Sequence, residues 1–399
     1  MYQPVIDLET LEPVAYEALV RGPSGSALES PAALFAEAER DGLLGALDRA
    51  AQAAAVRGAI ASQLPRSLPL FVNVEPSTLD RGALEELASV GKGELARLRI
   101  VVEITERALA ARPAELLWTA AWIRDQGWAI ALDDVGAEAA SLALMPSLRP
   151  EIIKLDLTLI SSDTSATAAR TIGAVLAEAE ATGAVIVAEG IETAEHLERA
   201  RALGATLGQG WLFGRPGPLP GAFAPPKVPL DPRLGIDLTD HGTPVELVFG
   251  RRSPRRAAKR HLMAISRHLE GWASEGHDPA VVLATFQDAD TFTPATRLRY
   301  AALARGSAFV GALGARMPQV PAIGVRGQSF DPADALRGEW NVVVVGPHVA
   351  GALIARDVSD DGPDPERRFD LVVTYDRELV LTAARSLMSR IAPEAPPLS

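Results

Sequence analysis

Seven short apolar runs in the first 216 residues carry a charged or amide residue at or beside their C-terminal end. That recurrence limits what this chain can fold into. Glu17 lies in Tyr16-Glu17-Ala18-Leu19-Val20-Arg21, Asn73 closes Phe71-Val72-Asn73, and Glu103 closes Ile100-Val101-Val102-Glu103. Asp133 and Asp134 follow Ala129-Ile130-Ala131-Leu132, and Lys154 sits in Ile152-Ile153-Lys154-Leu155-Asp156. Glu189 ends Val185-Ile186-Val187-Ala188-Glu189, and Gln209 lies in Gly208-Gln209-Gly210-Trp211. Burying a charge is costly unless it is paired or bound to a metal. A lone acid at a strand end is ordinarily a solvated loop charge or a helix cap. The same cost repeated at one end of successive strands points to a shared site.

The spacing predicts a barrel. Strands are expected at Tyr2–Leu8 and Val14–Val20, joined by a turn that makes them an antiparallel hairpin, then a helical stretch over Pro31–Leu64. Further strands are expected at Leu70–Val74, Arg99–Thr105, Trp128–Asp133, Ile152–Asp156, Val185–Glu189 and Leu207–Phe213, alternating with helical patterns. Eight strands close a (β/α)8 TIM-like barrel, here with one strand reversed, and place the site at the strand carboxyl ends.

At Arg215–Pro232 proline becomes dense enough to block helix and sheet, which marks a linker. The expected organisation is a barrel over residues 1–216, a Pro-rich linker over 217–242, a smaller α+β domain over 243–392 and a disordered tail over 393–399. In the second domain strands are expected at Val245–Phe249, Val281–Phe286, Trp340–Val345 and Phe369–Tyr375. A basic helix is expected at Arg255–Trp272 and a last helix at Glu378–Ile391.

Composition narrows the chemistry. The 399 residues contain no cysteine, which removes thiolate nucleophiles, thiolate metal sites and disulfides, and fits a reducing, cytoplasmic setting. No signal core and no membrane span is expected. A formal charge of −12 argues against a nucleic-acid polymer as partner. It is compatible with a small phosphorylated ligand, because bound divalent cations invert the local field.

Glu17, Asn73, Glu103 and Asp133 are hard oxygen donors, suited to Mg2+ or Mn2+ rather than zinc. The Asp133–Asp134 pair could serve two ions, and two such ions can activate a water and clamp a phosphodiester. Lys154 could fix that water or neutralise charge at phosphorus. Glu189 is set to take its proton, with Gln209 orienting. Arg21 and the amides near Glu17 could hold phosphate oxygens.

Residues 1–216 resemble the EAL family of cyclic-di-GMP phosphodiesterases. The matching text is Tyr2-Gln3-Pro4-Val5, Glu17-Ala18-Leu19-Val20-Arg21, Ala38 to Leu43, Val72-Asn73-Val74, Val102 to Glu106, Leu132-Asp133-Asp134, Ile153 to Asp156, Ala188 to Thr193 and Gly208 to Pro216. The resemblance implies metal ligation by Glu17, Asn73, Glu103, Asp133 and Asp134, by two Mg2+ or Mn2+ ions. It implies hydrolytic roles for Lys154, Glu189 and Gln209, and ligand contacts by Gln3, Leu19 and Arg21. Glu106 would brace the loop after Asp134, and Glu192 would support the site from behind. The implied reaction is hydrolysis of cyclic-di-GMP to linear pGpG by a homodimer. One departure stands out. Where the family carries Asp-Asp-Phe-Gly-Thr-Gly-Tyr-Ser-Ser-Leu, this chain has Val135, Ala137, Glu138 and Ala139 in place of Phe, Thr, the second Gly and Tyr. A receptor that binds cyclic-di-GMP but scarcely cuts it is therefore the alternative, and a purely protein-binding regulator is a third.

The second domain resembles the DICT sensory domain through Val245 to Phe249, His261 to Ser266, Ala284 to Gln287, Arg299 to Ala304 and Ala308 to Leu313, which implies a regulatory role for an unknown signal. The basic run Arg251 to Arg260 reads as a solvated helix face rather than a nucleic-acid or lipid patch. His261 and His268 share a helical face but lack a third ligand, so a metal site is not expected there. Trp118 and Trp122, four apart, read as core or interface packing.

Overall fold

The computed structural model describes residues 1–75, 93, 95–105, 113–136, 141–156, 158–159, 166–232, 242–275, 278–331, 333–358 and 364–392. The chain forms two compact units, the first taking in most of residues 1–236 and the second the remainder.

The expected hairpin is β1 (Tyr2–Asp7) with β2 (Pro13–Ala18), Gln3 lying opposite Glu17. The single helical stretch divides into α1 (Pro31–Arg40) and α2 (Leu44–Ala61). Gly42, at φ 70°, takes the left-handed conformation that stops the first helix. Then follow β3 (Leu70–Asn73), β4 (Ile100–Thr105), α3 (Pro113–Asp125), β5 (Ala129–Val135), α4 (Ser141–Leu148), β6 (Ile152–Leu155), α5 (Ala166–Thr182), β7 (Val185–Ala188), α6 (Ala194–Ala202) and β8 (Leu207–Gly208). Strands β2 to β8 are parallel, and β1 runs antiparallel to both β2 and β8, closing an eight-stranded barrel with one reversed strand.

Strand β8 is shorter than the expected Leu207–Phe213. The chain turns sharply at Gly210, where a Cβ would lie 2.1 Å from the Ile191 carbonyl oxygen, so only glycine fits. The proline-dense segment is extended, but it is tied down. Leu230 joins the apolar plug of the barrel together with Val5, Phe71, Val101, Ile152, Val187 and Leu207, and Arg99 bonds Asp231 at 2.6 Å.

The second unit is built on a seven-stranded sheet in the order Arg326–Phe330, Phe309–Ala315, Val281–Asp288, Glu339–Val345, Ala350–Asp357, Arg368–Thr374, Arg255–Ala258. Its elements are α7 (Pro244–Phe249), β9 (Arg255–Ala258), α8 (Lys259–Glu275), β10 (Val281–Asp288), α9 (Pro294–Ala304), β11 (Phe309–Ala315), β12 (Arg326–Phe330), β13 (Glu339–Val345), β14 (Ala350–Asp357), β15 (Arg368–Thr374) and α10 (Arg377–Met388). Leu262 and Leu269 of α8 and Tyr300 and Leu303 of α9 pack on Val282, Ala284, Val342 and Val344. Helix α10 contacts α7 and also β10, β13 and β14.

Two expectations are corrected. Val245–Phe249 is helix rather than strand, because Thr243 and Glu246 form a reciprocal capping box with Pro244 at the first turn, a device worth about 1 kcal/mol. The basic run does not begin as helix: Arg255–Ala258 is an edge strand, held by Arg256 opposite Asp370 at 2.8 Å. Its charges meet acids, Arg252 on Asp376 (2.8 Å), Lys259 on Asp364 (2.5 Å) and Arg260 on Glu366. Strands β11, β12 and β14 were not expected. His261 and His268 are exposed, and no three-ligand cluster forms about them among the described residues. Trp122 meets Trp128 edge to face at 5.9 Å, whereas Trp118 keeps 40% exposure. The 393–399 tail lies outside the described residues. Among the described residues no helix is long and apolar enough to cross a membrane.

Glu339 yields a test of this packing. It is 3% exposed, and burial raises its carboxyl above the ordinary value of 4.5 even though it accepts bonds from Val245 N and Asn341 Nδ2. The folded state therefore holds the proton more tightly than the unfolded one. The associated stability is full below 4.5 and is lost as pH rises through the raised value. The difference in unfolding midpoint between Glu339→Gln and the wild type should move in favour of the variant across that interval. A difference that does not vary with pH would count against this account.

Candidate active site

The site follows from the two-residue period of strands. The plug residues Phe71, Val101, Ala131, Ile152, Val187 and Leu207 face the barrel interior. Two residues further along each of those strands come Asn73, Glu103, Asp133, Lys154, Glu189 and Gln209, which therefore face the same way. On β2, Glu17 follows Ala15, and on the reversed β1 the inward partner is Gln3, two residues before Val5. The alternation that fills the barrel with apolar side chains thus stacks a polar layer on top, with all eight strands represented.

Lys154 is the hub of that layer. Its Nζ lies 2.5 Å from Glu103 Oε1, 2.8 Å from Glu189 Oε1, 2.9 Å from Asp133 Oδ1 and 3.4 Å from Glu17 Oε2, while its side chain is 1% exposed. Gln209 donates through Nε2 to Glu17 Oε2 (2.8 Å) and to Gln3 Oε1 (3.1 Å), and Gln3 donates to the Gly214 carbonyl (2.9 Å). Asn73 donates to Glu17 Oε1 at 3.0 Å, which leaves its amide oxygen for another partner.

Charge is unbalanced here: four carboxylates face one ammonium. Burial opposes the ammonium form of Lys154, but the four carboxylates outweigh it and hold its pKa well above the ordinary value. Glu17 is pushed up by burial and pulled further down by Lys154, Asn73 and Gln209, ending below the usual range. Glu103 goes well above it, through burial and the neighbouring Glu17 and Asp133, which Lys154 does not offset. Glu189 reaches about 8, chiefly by burial and with Asp133 and Glu17 adding.

Glu103 Oε1 and Asp133 Oδ1 are buried against the Lys154 ammonium, whereas Glu103 Oε2 is buried with no donor among the described residues. Oxygens of Asp133, Asp134 and Glu189 lie within 4.8 Å of one another. Asp134 takes φ 57°, a left-handed conformation that aspartate tolerates better than most residues and that lets consecutive carboxylates serve one locus. Hard oxygen donors, excess negative charge and a buried carboxylate oxygen without a donor fit a divalent cation.

Above this layer opens a cavity of about 560 Å3, lined among others by Glu17, Leu19, Arg21, Asn73, Asp133, Asp134 and Glu189. Gln3, Glu103, Lys154 and Gln209 are all less than a tenth exposed and brace these groups without lining the cavity. Glu192 is exposed and does not line it. Glu106, Ala137, Glu138 and Ala139 lie outside the described residues; Val135 is fully buried. Sequence reasoning had not placed Thr105, Asp48 and Gln52 at this cavity. Asp48 and Gln52 sit four apart on α2 and bond each other at 2.9 Å, a spacing that could have marked them.

Residues 1–216 match the EAL domain, more than half of the chain. The chain belongs to the EAL domain family. Residues 246–357 match the DICT domain, a sensory domain in diguanylate cyclases and two-component systems. The cyclic di-GMP phosphodiesterase RocR of Pseudomonas aeruginosa is 36% identical over 160 residues, 39% of this chain and 41% of that protein. The cyclic di-GMP phosphodiesterase NbdA of the same organism is 30% identical over 224 residues, 55% of this chain and 29% of that protein. The chain thus spans less than half the length of these curated relatives. Among solved structures, Klebsiella pneumoniae BlrP1 in its manganese and cyclic-di-GMP complex aligns with a TM-score of 0.47 at 28% identity, over 54% of this chain and 55% of that one.

If Lys154 neutralises this EAL cluster, Lys154→Met should destabilise the protein by about 3–5 kcal/mol in EDTA, the usual cost of breaking a buried charge network. Mn2+ should restore part of the loss. An unfolding midpoint unchanged from wild type in EDTA would contradict the role given to Lys154.

Proposed function

We propose that the barrel hydrolyses one phosphodiester bond of cyclic-di-GMP to linear pGpG, using divalent cations, Mg2+ or Mn2+, held by Glu17, Asn73, Glu103, Asp133 and Asp134. The observation that carries this reading is the convergence of four carboxylates on the single ammonium of Lys154, beneath a cavity of about 560 Å3. Bound cations would supply positive charge that acidifies water and screens the phosphate.

The chain's own residues do the rest. Arg21, on the cavity wall, pairs with a phosphate oxygen. Gln209 fixes Glu17 in one orientation, so the donor array is set before ligand arrives. Glu189, ionised once bound cations offset the neighbouring carboxylates that raise its pKa, accepts the proton of the attacking water. Of the four carboxylates on Lys154 its side chain is the most exposed, at 21%, and it opens to the cavity. Lys154 holds Glu189 in place and balances charge as the proton moves. The second unit is proposed to regulate this activity, and the protein to act as a homodimer.

Incubation with cyclic-di-GMP and Mn2+ should give pGpG by chromatography; formation no greater than with Glu17→Ala would overturn the reading. Glu189→Gln should keep nucleotide binding and lower kcat by roughly 10²–10⁴-fold. An unchanged rate would remove Glu189 as the base.

The replaced loop after Asp134 favours a second reading, binding without turnover. Glu138 adds negative charge close in sequence to the aspartates, and the hydroxyl and aromatic residues of the family pattern are missing. Tight nucleotide binding in Ca2+ with no pGpG in Mg2+ or Mn2+ selects it.

A further inference from the structure

We propose that the second unit contains a binding site for a small aromatic carboxylate, in a cavity between α8, α9 and the adjoining sheet face. The cavity measures about 310 Å3, at the lower end of the range of roughly 300–1,000 Å3 for small-molecule sites. Its walls include Phe286, Tyr300, Trp340 and Phe369, which offer flat apolar surface to a ring. Tyr300 and Phe369 are buried to within 1% and belong to the core of this unit, so these walls are fixed rather than adaptable.

Most polar groups of the lining are already paired: Thr285 Oγ1 donates to the Glu339 carbonyl, Gln287 Nε2 to Asp357, Thr291 Oγ1 to the Asp288 carbonyl, and Thr293 and Thr296 bond each other. Ser266 of α8 lines the cavity, is 5% exposed, and its Oγ has no hydrogen-bond partner among the described residues. An orphaned buried hydroxyl on a cavity wall is a group waiting for a ligand atom. One helical turn on, Glu270 is 4% exposed but fully engaged, accepting from Tyr300 Oη at 2.8 Å and from Arg299 Nε at 2.7 Å. That network positions the Tyr300 ring and consumes the charges of Glu270 and Arg299. Lys259 is likewise consumed by Asp364 at 2.5 Å. Of the charged residues lining the cavity, Arg267 is left with no ion-pair partner among the described residues, and it is exposed. The site therefore presents an aromatic slot, one unsatisfied hydroxyl inside and one uncompensated cation in the lining. A ring bearing a carboxylate matches all three.

Indole-3-carboxylate and 4-hydroxybenzoate, titrated calorimetrically into the full chain, are the probes, with benzylamine as the oppositely charged control. For ligands of this size the dissociation constants should be on the order of 0.1–1 mM. Ser266→Leu, which fills the slot, should weaken binding at least tenfold. Ala295→Trp, on an exposed position of the lining, should do the same without touching the core. Arg267→Ala should weaken the acids while leaving neutral indole unchanged. No binding of either acid to wild type would overturn the proposal. So would wild-type affinity in a folded Ser266→Leu or Ala295→Trp protein, or tighter binding of benzylamine than of the acids. The readout is binding to the second unit, so it stands or fails independently of phosphodiesterase activity.

Discussion

The contact on which the barrel site depends is the ion cluster around Lys154 Nζ, where Glu17, Glu103, Asp133 and Glu189 arrive from four other strands within 3.4 Å. A buried ammonium alone would shed its proton, and a buried carboxylate alone would take one up. Together they hold one another charged, but only in part, because the acids outnumber the base. Glu103 and Glu189 carry the imbalance as raised pKa values. Excess negative charge beside an open cavity favours a ligand that brings positive charge.

The barrel was legible because one physical rule governs every strand. An inward apolar residue followed two positions later by an inward polar one, as in Phe71 and Asn73 or Ile152 and Lys154, fixes both the closed sheet and the place of the site. Glu17, Asn73, Asp133, Asp134 and Glu189 duly meet at one mouth, with Glu103, Lys154 and Gln209 beneath them. The sequence did not disclose that Glu17 would be held charged while Glu103 and Glu189 are pushed towards the protonated form, since that depends on distances around Nζ set by several strands at once. It also did not disclose the short β8, whose end is dictated by the backbone of Ile191 against Gly210.

The second unit was read less well, for reasons that can be named. Val245–Phe249 looks like a strand by composition, yet Thr243 and Glu246 cap it as a helix, a local signal that outweighs β propensity. Arg255–Ala258 looks like a helix start, yet a cross-strand partner, Asp370, recruits it to a sheet edge. Strand β11, Phe-Val-Gly-Ala-Leu-Gly-Ala, has little strand character alone. It is buried at every position between β10 and β12, and its glycines leave room for Ile391 and Met317. The basic run, which reads in the sequence as a solvated helix face, is largely spent on acids of the same unit.

The most direct test of the central claim is the location of cations by anomalous diffraction from crystals soaked in Mn2+. The account predicts peaks at the mouth of the barrel, within coordination distance, roughly 2–2.5 Å, of oxygens from Asp133 and Asp134 and from at least one of Glu17, Asn73 and Glu103. A fully soaked crystal with no peak there, or with manganese bound only elsewhere on the molecule, would contradict it.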